Sequence, residues 1–298
     1  MDIVKKIEDM HIGDVIPNVD IKKCTTYKVG GHALALVSPY TISDLQHLLS
    51  LLKKEKMKYK VIGFGSNLIF NDGLYNGILI RLDNLDGLTI RDRVVTVGAG
   101  YSLMKLSLKT ARLGLSGLEF ASGIPGSIGG AIFMNAGAYN SDMGYVVRSI
   151  RVLTPELEVK TMYNYDLDFH YRSSFLQKNP GYICLEAKII LKHGNIDEIT
   201  ELISNRRKRR LETQPLEYPS AGSVFRNPEG MSAWSLIEEV GYKGKHIGDA
   251  YVSEKHANFI INKGHATGED VKQLITDIRE KVKKEKGITL KIEQEFVE

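Results

Sequence analysis

Two glycine-rich stretches, VIGFGSNLIF at 61–70 and ASGIPGSIGGA at 121–131, carry the residue types that let bare backbone approach a bound phosphate. Glycine loses more conformational freedom on folding than any other residue, so such clusters need a reason: a positive φ or the close approach of another group. In Gly63, Phe64, Gly65, Ser66 and Asn67, successive N–H groups of a turn could form an anion-binding nest, with the Ser66 hydroxyl and Asn67 amide as further donors. A tight structural turn accounts for the same residues. Leu68 stands where a dinucleotide fingerprint has its third glycine, and no lysine follows to complete a Walker loop. In the second stretch, Gly123, Ile124, Pro125 and Gly126 read as a turn, and Gly129, Gly130 and Ala131 could open a helix whose N-terminus faces an anion. Small residues continue through Asn135 to Ala138, and close helix packing is the alternative reading. Two such loops in one chain favour a large ligand with a diphosphate.

Other segments offer reactive side chains. SAGSVFRNP at 220–228 combines the Ser223 hydroxyl, the Arg226 guanidinium and the Asn227 amide in a small-residue loop, although Ser223 lacks the Gly-x-Ser-x-Gly setting of a hydrolase elbow. FHYRSSF at 169–175 sets Arg172 beside Tyr171, a pairing that is often a surface stack. The basic run from Arg206 to Arg210 would point around most of a helix, which makes it solvated surface with a minority of charges available to an anionic substrate. No aromatic residues interleave with it, which argues against nucleic acid. The histidines show no metal-ligand spacing, and His256 beside Asn258 reads as a hydrogen-bonded core residue.

These groups must be placed by a mixed architecture. Ile42, Leu45, Leu48, Leu49 and Leu52 recur at helical spacing behind a Thr41/Asp44 capping box, and a strand at 59–62 runs straight into Gly63. Strands are expected at 77–80 and 94–97, then a helix capped by Ser102 and stopped at Gly114. Further strands are expected at 149–153, 158–162 and 182–191, the last apolar enough to be central. Helices follow at 197–213, 232–240 and behind the Thr267/Asp270 box, before a last strand at 288–297. Helices and strands do not alternate strictly, so the fold class is α+β. After Asn195 the composition turns more charged, so a domain boundary is expected near 195 to 213, giving 1–195, with two α/β subdomains of about 1–85 and 86–195, and 196–298.

Forty Lys and Arg against 36 Asp and Glu leave a net charge of +4, too mild to announce nucleic acid and compatible with an anionic ligand. Cys24 and Cys184 fit neither a disulfide framework nor a metal site. The N-terminal residues never form the apolar run of a signal peptide or membrane span. The expectation is a cytoplasmic monomer with no membrane, metal or nucleic-acid partner.

Taken together and in order, the blocks resemble one family, the UDP-N-acetylenolpyruvoylglucosamine reductases of bacterial cell-wall synthesis. They are TTYKVGG at 25–31, GFGSN at 63–67 with Asp72-Gly73, SGIPGSIGG at 122–130, NAGAY at 135–139, YRSS at 171–174, AGSVFRNP at 221–228 and SEKHAN at 253–258. The resemblance runs nearly end to end. It implies an FAD-binding module of the vanillyl-alcohol-oxidase and para-cresol-methylhydroxylase type at 1–195, then a smaller α/β substrate-binding domain at 196–298 whose last strand returns toward the flavin. It also implies non-covalent FAD, NADPH as co-substrate, and reduction of the enolpyruvyl ether of UDP-N-acetylglucosamine to UDP-N-acetylmuramate. The short interval between Arg172 and Ser223 is similar to the shorter type, without the substrate-capping insertion.

By the same resemblance, Gly63, Phe64, Gly65, Ser66, Asn67, Ser122, Gly123, Ile124, Gly126, Ser127, Gly129, Gly130, Ala131 and Gly137 hold the cofactor. Tyr139, Gly222, Arg226 and Asn227 contact the substrate. Arg172, Ser223 and a C-terminal glutamate are catalytic. Glu293 is favoured by its spacing from Leu290, with Glu295 as runner-up because it would face the same side of a strand. The tail departs from the family's usual Glu-Val ending, since Gln294 follows Glu293. The substrate diphosphate could fall to Lys243, Lys245 or the Arg206 run. A flavin-dependent alcohol or sugar oxidase of the same superfamily would keep both glycine stretches without needing the three catalytic residues. A colourless RNA-binding regulator is the non-enzymatic alternative.

Overall fold

Thr41 begins the first long helix as its sequence implies: its hydroxyl accepts the Asp44 N–H at 3.1 Å, and Ile42–Lys54 buries Leu45, Leu48, Leu49 and Leu52. In this computed structural model, which describes residues 2–298, the chain forms two compact units. Among the described residues, the first comprises 2–17, 34–64 and 77–208, and the second 18–33, 65–76 and 209–298. The division at 195 follows composition, whereas the second unit also recruits two segments from the N-terminal part of the sequence. Each unit has its own apolar core.

The first unit is organised by a five-stranded antiparallel sheet in the order Val159–Tyr163, Val147–Leu153, Ile183–Ile190, Val94–Gly98, Leu88–Arg91. The apolar strand at 183–190 is central, with Leu185, Ala187 and Ile189 all buried. A four-stranded sheet, ordered Gly13–Asp20, His32–Pro39, Leu74–Arg81, Tyr59–Ile62, supports the first glycine stretch. The chain passes from one unit to the other along three of those strands. Ser102 caps the helix Leu103–Arg112, accepting the Lys105 N–H at 3.3 Å.

In the second unit the helix Gly268–Lys286 has the reciprocal Thr267/Asp270 capping box and ends at Gly287 in the left-handed region (φ 69°). It buries Val271, Leu274, Ile275, Ile278 and Val282, each removing roughly 1.5–3 kcal/mol worth of apolar side chain from water. Asp72 accepts the Gly268 and Glu269 N–H groups at 2.9 and 3.2 Å, so the Asp72-Gly73 block serves this helix start. A Cβ on Gly31 would lie 2.1 Å from the Gly73 carbonyl oxygen, which explains the glycine pair ending the 25–31 block.

The last strand is shorter than the sequence suggests. Only Glu295–Val297 forms a strand, parallel to Leu68–Phe70. Residues before it pair elsewhere: Lys291 accepts the Arg226 N–H at 2.9 Å, Phe225 bridges Ile292, and Glu293 donates to Val224. The tail changes hydrogen-bonding partners at Gln294, and that change breaks one long apolar pattern into two short pairings.

Candidate functional site: two glycine stretches, a strained arginine and a serine loop

Tyr59–Ile62 runs parallel to residues 78–81 and delivers Gly63 at its C-terminal end. A Cβ on Gly63 would sit 2.7 Å from Ser127 Oγ, so the structure brings the two glycine stretches into contact within the first unit. Gly129 is pressed against Ala99, where a Cβ would come to 3.1 Å, and Gly137 against Ser141, whose carbonyl oxygen would be 2.5 Å away. At Gly137 backbone atoms occupy the space a side chain would take, whereas Gly63 and Gly129 are tight against side-chain atoms. Gly130 differs, since its only close neighbour would be Ser127 Oγ at 3.4 Å.

Ser127 caps the six-residue helix Ile128–Phe133, accepting the Gly130 N–H at 3.3 Å. The Ile128 N–H donates to Tyr101 (2.9 Å), Gly129 to Ala99 (2.8 Å) and Ala131 to Ser127 (2.9 Å). The helix start therefore spends its donors on protein carbonyls and the Ser127 hydroxyl, and the expectation of an anion at this N-terminus is corrected. Spacing alone could not reveal that the Ala99–Tyr101 backbone reaches these donors first.

Arg172 sits in the same unit, at the tip of a tight turn closed by reciprocal 3.0 Å bonds between the His170 and Ser173 backbones. Its φ of 54° is left-handed, a conformation that costs a non-glycine residue on the order of 1–3 kcal/mol. The turn is anchored by Asn135, 1% exposed, whose Nδ2 donates to the His170 carbonyl at 2.9 Å and whose Oδ1 accepts the Gly144 N–H at 2.9 Å. Gln177 Nε2 donates to the Arg172 carbonyl at 3.2 Å and Ser174 Oγ to Phe133 at 2.7 Å. Asn135 is left-handed as well (φ 42°), while Tyr139 (φ 55°) and Asn140 (φ 57°) form the two-residue hairpin turn between Gly137–Ala138 and Ser141–Asp142. The guanidinium of Arg172 lies 5.3 Å from the Tyr171 ring centroid. The basic run disperses as expected: Arg207, Lys208 and Arg209 are exposed, while Arg206 lies 4.7 Å over the Tyr139 ring and its carbonyl accepts the Tyr139 hydroxyl at 3.2 Å.

In the second unit, Gly65 (φ 66°) accepts the Thr26 N–H through its carbonyl at 3.3 Å, and Asn67 accepts that of Glu295 at 2.9 Å. Among the described residues, the Gly65 and Ser66 N–H groups donate to no protein acceptor, and Thr26 Oγ1 is buried without a hydrogen-bond partner. Buried side-chain polar atoms rarely stay unsatisfied, so Thr26 Oγ1, with the two backbone donors in the segment it pairs with, fits an oxygen-rich ligand such as a cofactor diphosphate. Thr26 is a candidate that sequence reasoning passed over, because its block carries no phosphate signature. A Cβ at position 65 would lie 2.0 Å from the Cys24 carbonyl oxygen. Gly65→Ala is therefore expected to destabilise the protein by at least about 3 kcal/mol through clash and left-handed strain. Calorimetry should show a large drop in melting temperature, and an unchanged one would contradict this packing.

Ser223 and Glu293 lie on adjacent segments of this unit. Glu293 N–H donates to the Val224 carbonyl at 2.8 Å, and Asn67 Nδ2 donates to the Glu293 carbonyl at 3.1 Å. Gly222 takes φ 73° with no atom within 4 Å of where its Cβ would be, so it is glycine for conformation. Gln294, 5% exposed, donates to the Ala221 and Gly222 carbonyls at 3.2 Å and accepts the buried Tyr27 hydroxyl at 3.3 Å. Burial raises the Tyr27 phenol pKa, so it stays neutral and able to donate. Asn227 Oδ1 accepts the Ala233 N–H at 3.0 Å and so helps start the helix Ala233–Glu239. Arg226 Nε, by contrast, is buried without a hydrogen-bond partner among the described residues, as suits a group awaiting an anion. Neither cysteine is in a disulfide, and burial pushes the Cys184 thiol up to about 12, leaving it inert. No helix among the described residues is long and apolar enough to cross a membrane.

The comparisons with known proteins agree with this layout. An FAD binding domain matches residues 33–162, and the C-terminal domain of UDP-N-acetylenolpyruvoylglucosamine reductase matches 214–297. The chain is 44% identical over 288 residues to the UDP-N-acetylenolpyruvoylglucosamine reductase of Anoxybacillus flavithermus, covering 96% of this chain and 95% of that one. It is 40% identical over 296 residues to that of Halalkalibacterium halodurans, covering 99% and 98%. The crystal structure of the Thermus caldophilus enzyme superposes with a TM-score of 0.80 at 34% identity, covering 96% of this chain and 99% of that one. An FAD-binding α+β module with this C-terminal domain defines the class, an FAD-containing oxidoreductase. The chain belongs to the UDP-N-acetylenolpyruvoylglucosamine reductase family.

Proposed function

We infer that the protein reduces the enolpyruvyl group of UDP-N-acetylglucosamine enolpyruvate to give UDP-N-acetylmuramate, with NADPH as reductant, for peptidoglycan precursor synthesis in the cytoplasm, and that it acts as a monomer. The observation that carries the reading is the second-unit pairing of the Ser223 loop with the Glu293 segment, in a chain related end to end to such reductases. The Gly65 and Ser66 N–H groups and Thr26 Oγ1 would hold the FAD diphosphate, with Asn67 beside them and Gly63, Ser127 and Gly130 lining the cofactor. The remaining members proposed to line it are Phe64, Ser122, Gly123, Ile124, Gly126, Gly129, Ala131 and Gly137. When bound, FAD supplies hydride transfer, taken from NADPH and given to the terminal carbon C3 of the enolpyruvyl group.

The substrate double bond is conjugated to a carboxylate, so hydride arriving at C3 leaves enolate-like charge spread over C2 and the carboxylate. That charge needs fixed electrostatic partners before C2 is protonated. Arg172 is proposed to stabilise the charge on the carboxylate side, Glu293 to donate a hydrogen bond there as a carboxylic acid, and Ser223 to give its proton to C2. Serine is a weak acid, so it serves only because the developing carbanion is more basic still. Tyr139, Gly222, Arg226 and Asn227 are proposed to bind the substrate, the unsatisfied Arg226 Nε being suited to an anionic group.

In D₂O, turnover should place deuterium at C2 of the lactyl product, read by mass spectrometry and NMR. Consumption of NADPH without formation of UDP-N-acetylmuramate would defeat the reading. Between the two tail glutamates, Glu293→Ala should lower kcat about 10²- to 10³-fold, as expected for loss of one preorganised electrostatic group. Glu295→Ala should stay within about threefold of wild type, because Glu295 stands in the short strand beside Leu68. Steady-state kinetics of both variants would reverse the assignment if the losses were exchanged.

A further inference from the structure

The block Ser253 to Asn258 has no part in the chemistry above, yet its last residue grips the segment that carries Ser223. Phe225 N–H donates to Asn258 Oδ1 at 2.9 Å, and Asn258 Nδ2 donates to the Phe225 carbonyl at 2.8 Å. The Asn258 carbonyl accepts the Val224 N–H at 2.9 Å, and Ser223 forms a bridge with Phe259. Asn258 is 3% exposed, and Val224 and Phe225 are each 1% exposed, so water cannot replace these bonds cheaply. The carboxamide matches both hydrogen-bonding groups of one residue, as a neighbouring strand would. Aspartate lacks the donor, and glutamine is one methylene too long.

Asn258 is itself held. Its N–H donates to His256 Nδ1 at 3.2 Å, and Ser253 Oγ accepts the Lys255 and His256 N–H groups at 3.1 and 3.3 Å. Burial lowers the His256 pKa, so the ring stays neutral and Nδ1 remains an acceptor. On the opposite edge, the Val224 carbonyl takes the Glu293 N–H and Phe225 bridges Ile292. The Ser223 segment is thus gripped between the Asn258 and Glu293 segments.

We propose that Asn258 is a positioning residue that fixes the backbone at Val224 and Phe225 and thereby aims the Ser223 hydroxyl. The proposal rests on Ser223 as the proton donor. A reacting group displaced by about 1 Å can lose on the order of 10²-fold in rate, so the clamp matters for proton delivery out of proportion to its hydrogen bonds.

The test uses the FAD-loaded enzyme with Asn258→Ala and Asn258→Asp, each alone and combined with Ser223→Ala. Reduction of the flavin by NADPH and its reoxidation by the enolpyruvyl substrate are timed separately without oxygen, and backbone exchange is followed at Val224 and Phe225. In Asn258→Ala, reduction by NADPH should stay within about twofold while reoxidation slows roughly 10- to 100-fold. Asn258→Asp, which keeps the acceptor for the Phe225 N–H, should lose less. Both amides should exchange faster, and Asn258→Ala should cost nothing further once Ser223 is alanine. Equal losses in the two half-reactions, losses that multiply in the double variant, or unchanged reoxidation in Asn258→Ala with Ser223→Ala still slow would each overturn the proposal alone. Full turnover by Ser223→Ala would overturn the proton-donor reading, and this proposal with it.

Discussion

Replacing Ser223 with alanine should leave flavin bleaching by NADPH at the wild-type rate and slow reoxidation by the enolpyruvyl substrate about 10²- to 10⁴-fold, the range for a lost general acid. The asymmetry follows from where the proton is needed. NADPH oxidation moves a hydride and requires no proton at C2, whereas the second half-reaction leaves enolate-like charge that persists until C2 is protonated. Ser223 is partly exposed and lies in a segment fixed from both edges, by Asn258 and by Glu293, so losing one oxygen should not disturb the fold. Melting temperature should accordingly change little. Wild-type turnover in this variant would remove Ser223 from the chemistry.

Arg172→Gly should separate stability from function. Arg172 holds a φ of 54° at a turn tip whose reciprocal His170 and Ser173 bonds involve only backbone, so glycine can adopt the same turn without strain. The variant is expected to keep this turn and to remain folded. Its kcat should nonetheless fall roughly 10²- to 10³-fold, because the guanidinium proposed to face the substrate carboxylate is gone. Differential scanning calorimetry together with steady-state kinetics measures both. A variant that is less stable and still active would show that Arg172 serves the turn and not the reaction.

Much of the frame was legible because it is local. Thr41 with Asp44, Ser102, and Thr267 with Asp270 announce their helices within a few residues, and the cap bonds form as read. The apolar run ending at Ile190 takes the central place its hydrophobicity implies. What the sequence could not show depends on partners distant in the chain. The donors after Ser127 go to Ala99 and Tyr101 rather than to an anion. The glycines at 63, 65 and 129 make room for Ser127, Cys24 and Ala99. The tail splits its pairing between Val224 and Leu68 because Gln294 turns its amide to Ala221 and Gly222.

The site divides in the same way. Ser223 and Arg172 are picked out by the order of blocks, and Glu293 by its spacing from Leu290. Thr26, Asn135 and Asn258 escaped notice as functional candidates because an isolated threonine or asparagine carries no periodic signal. Their significance lies in a buried hydroxyl without a partner and in amides that bridge segments far apart in sequence.

The most direct test of the central claim is an anaerobic two-step mixing experiment followed by flavin absorbance. NADPH should bleach the bound flavin, and UDP-N-acetylglucosamine enolpyruvate should restore its colour with one equivalent of UDP-N-acetylmuramate formed per flavin. Bleaching that the enolpyruvyl substrate fails to reverse would contradict the account.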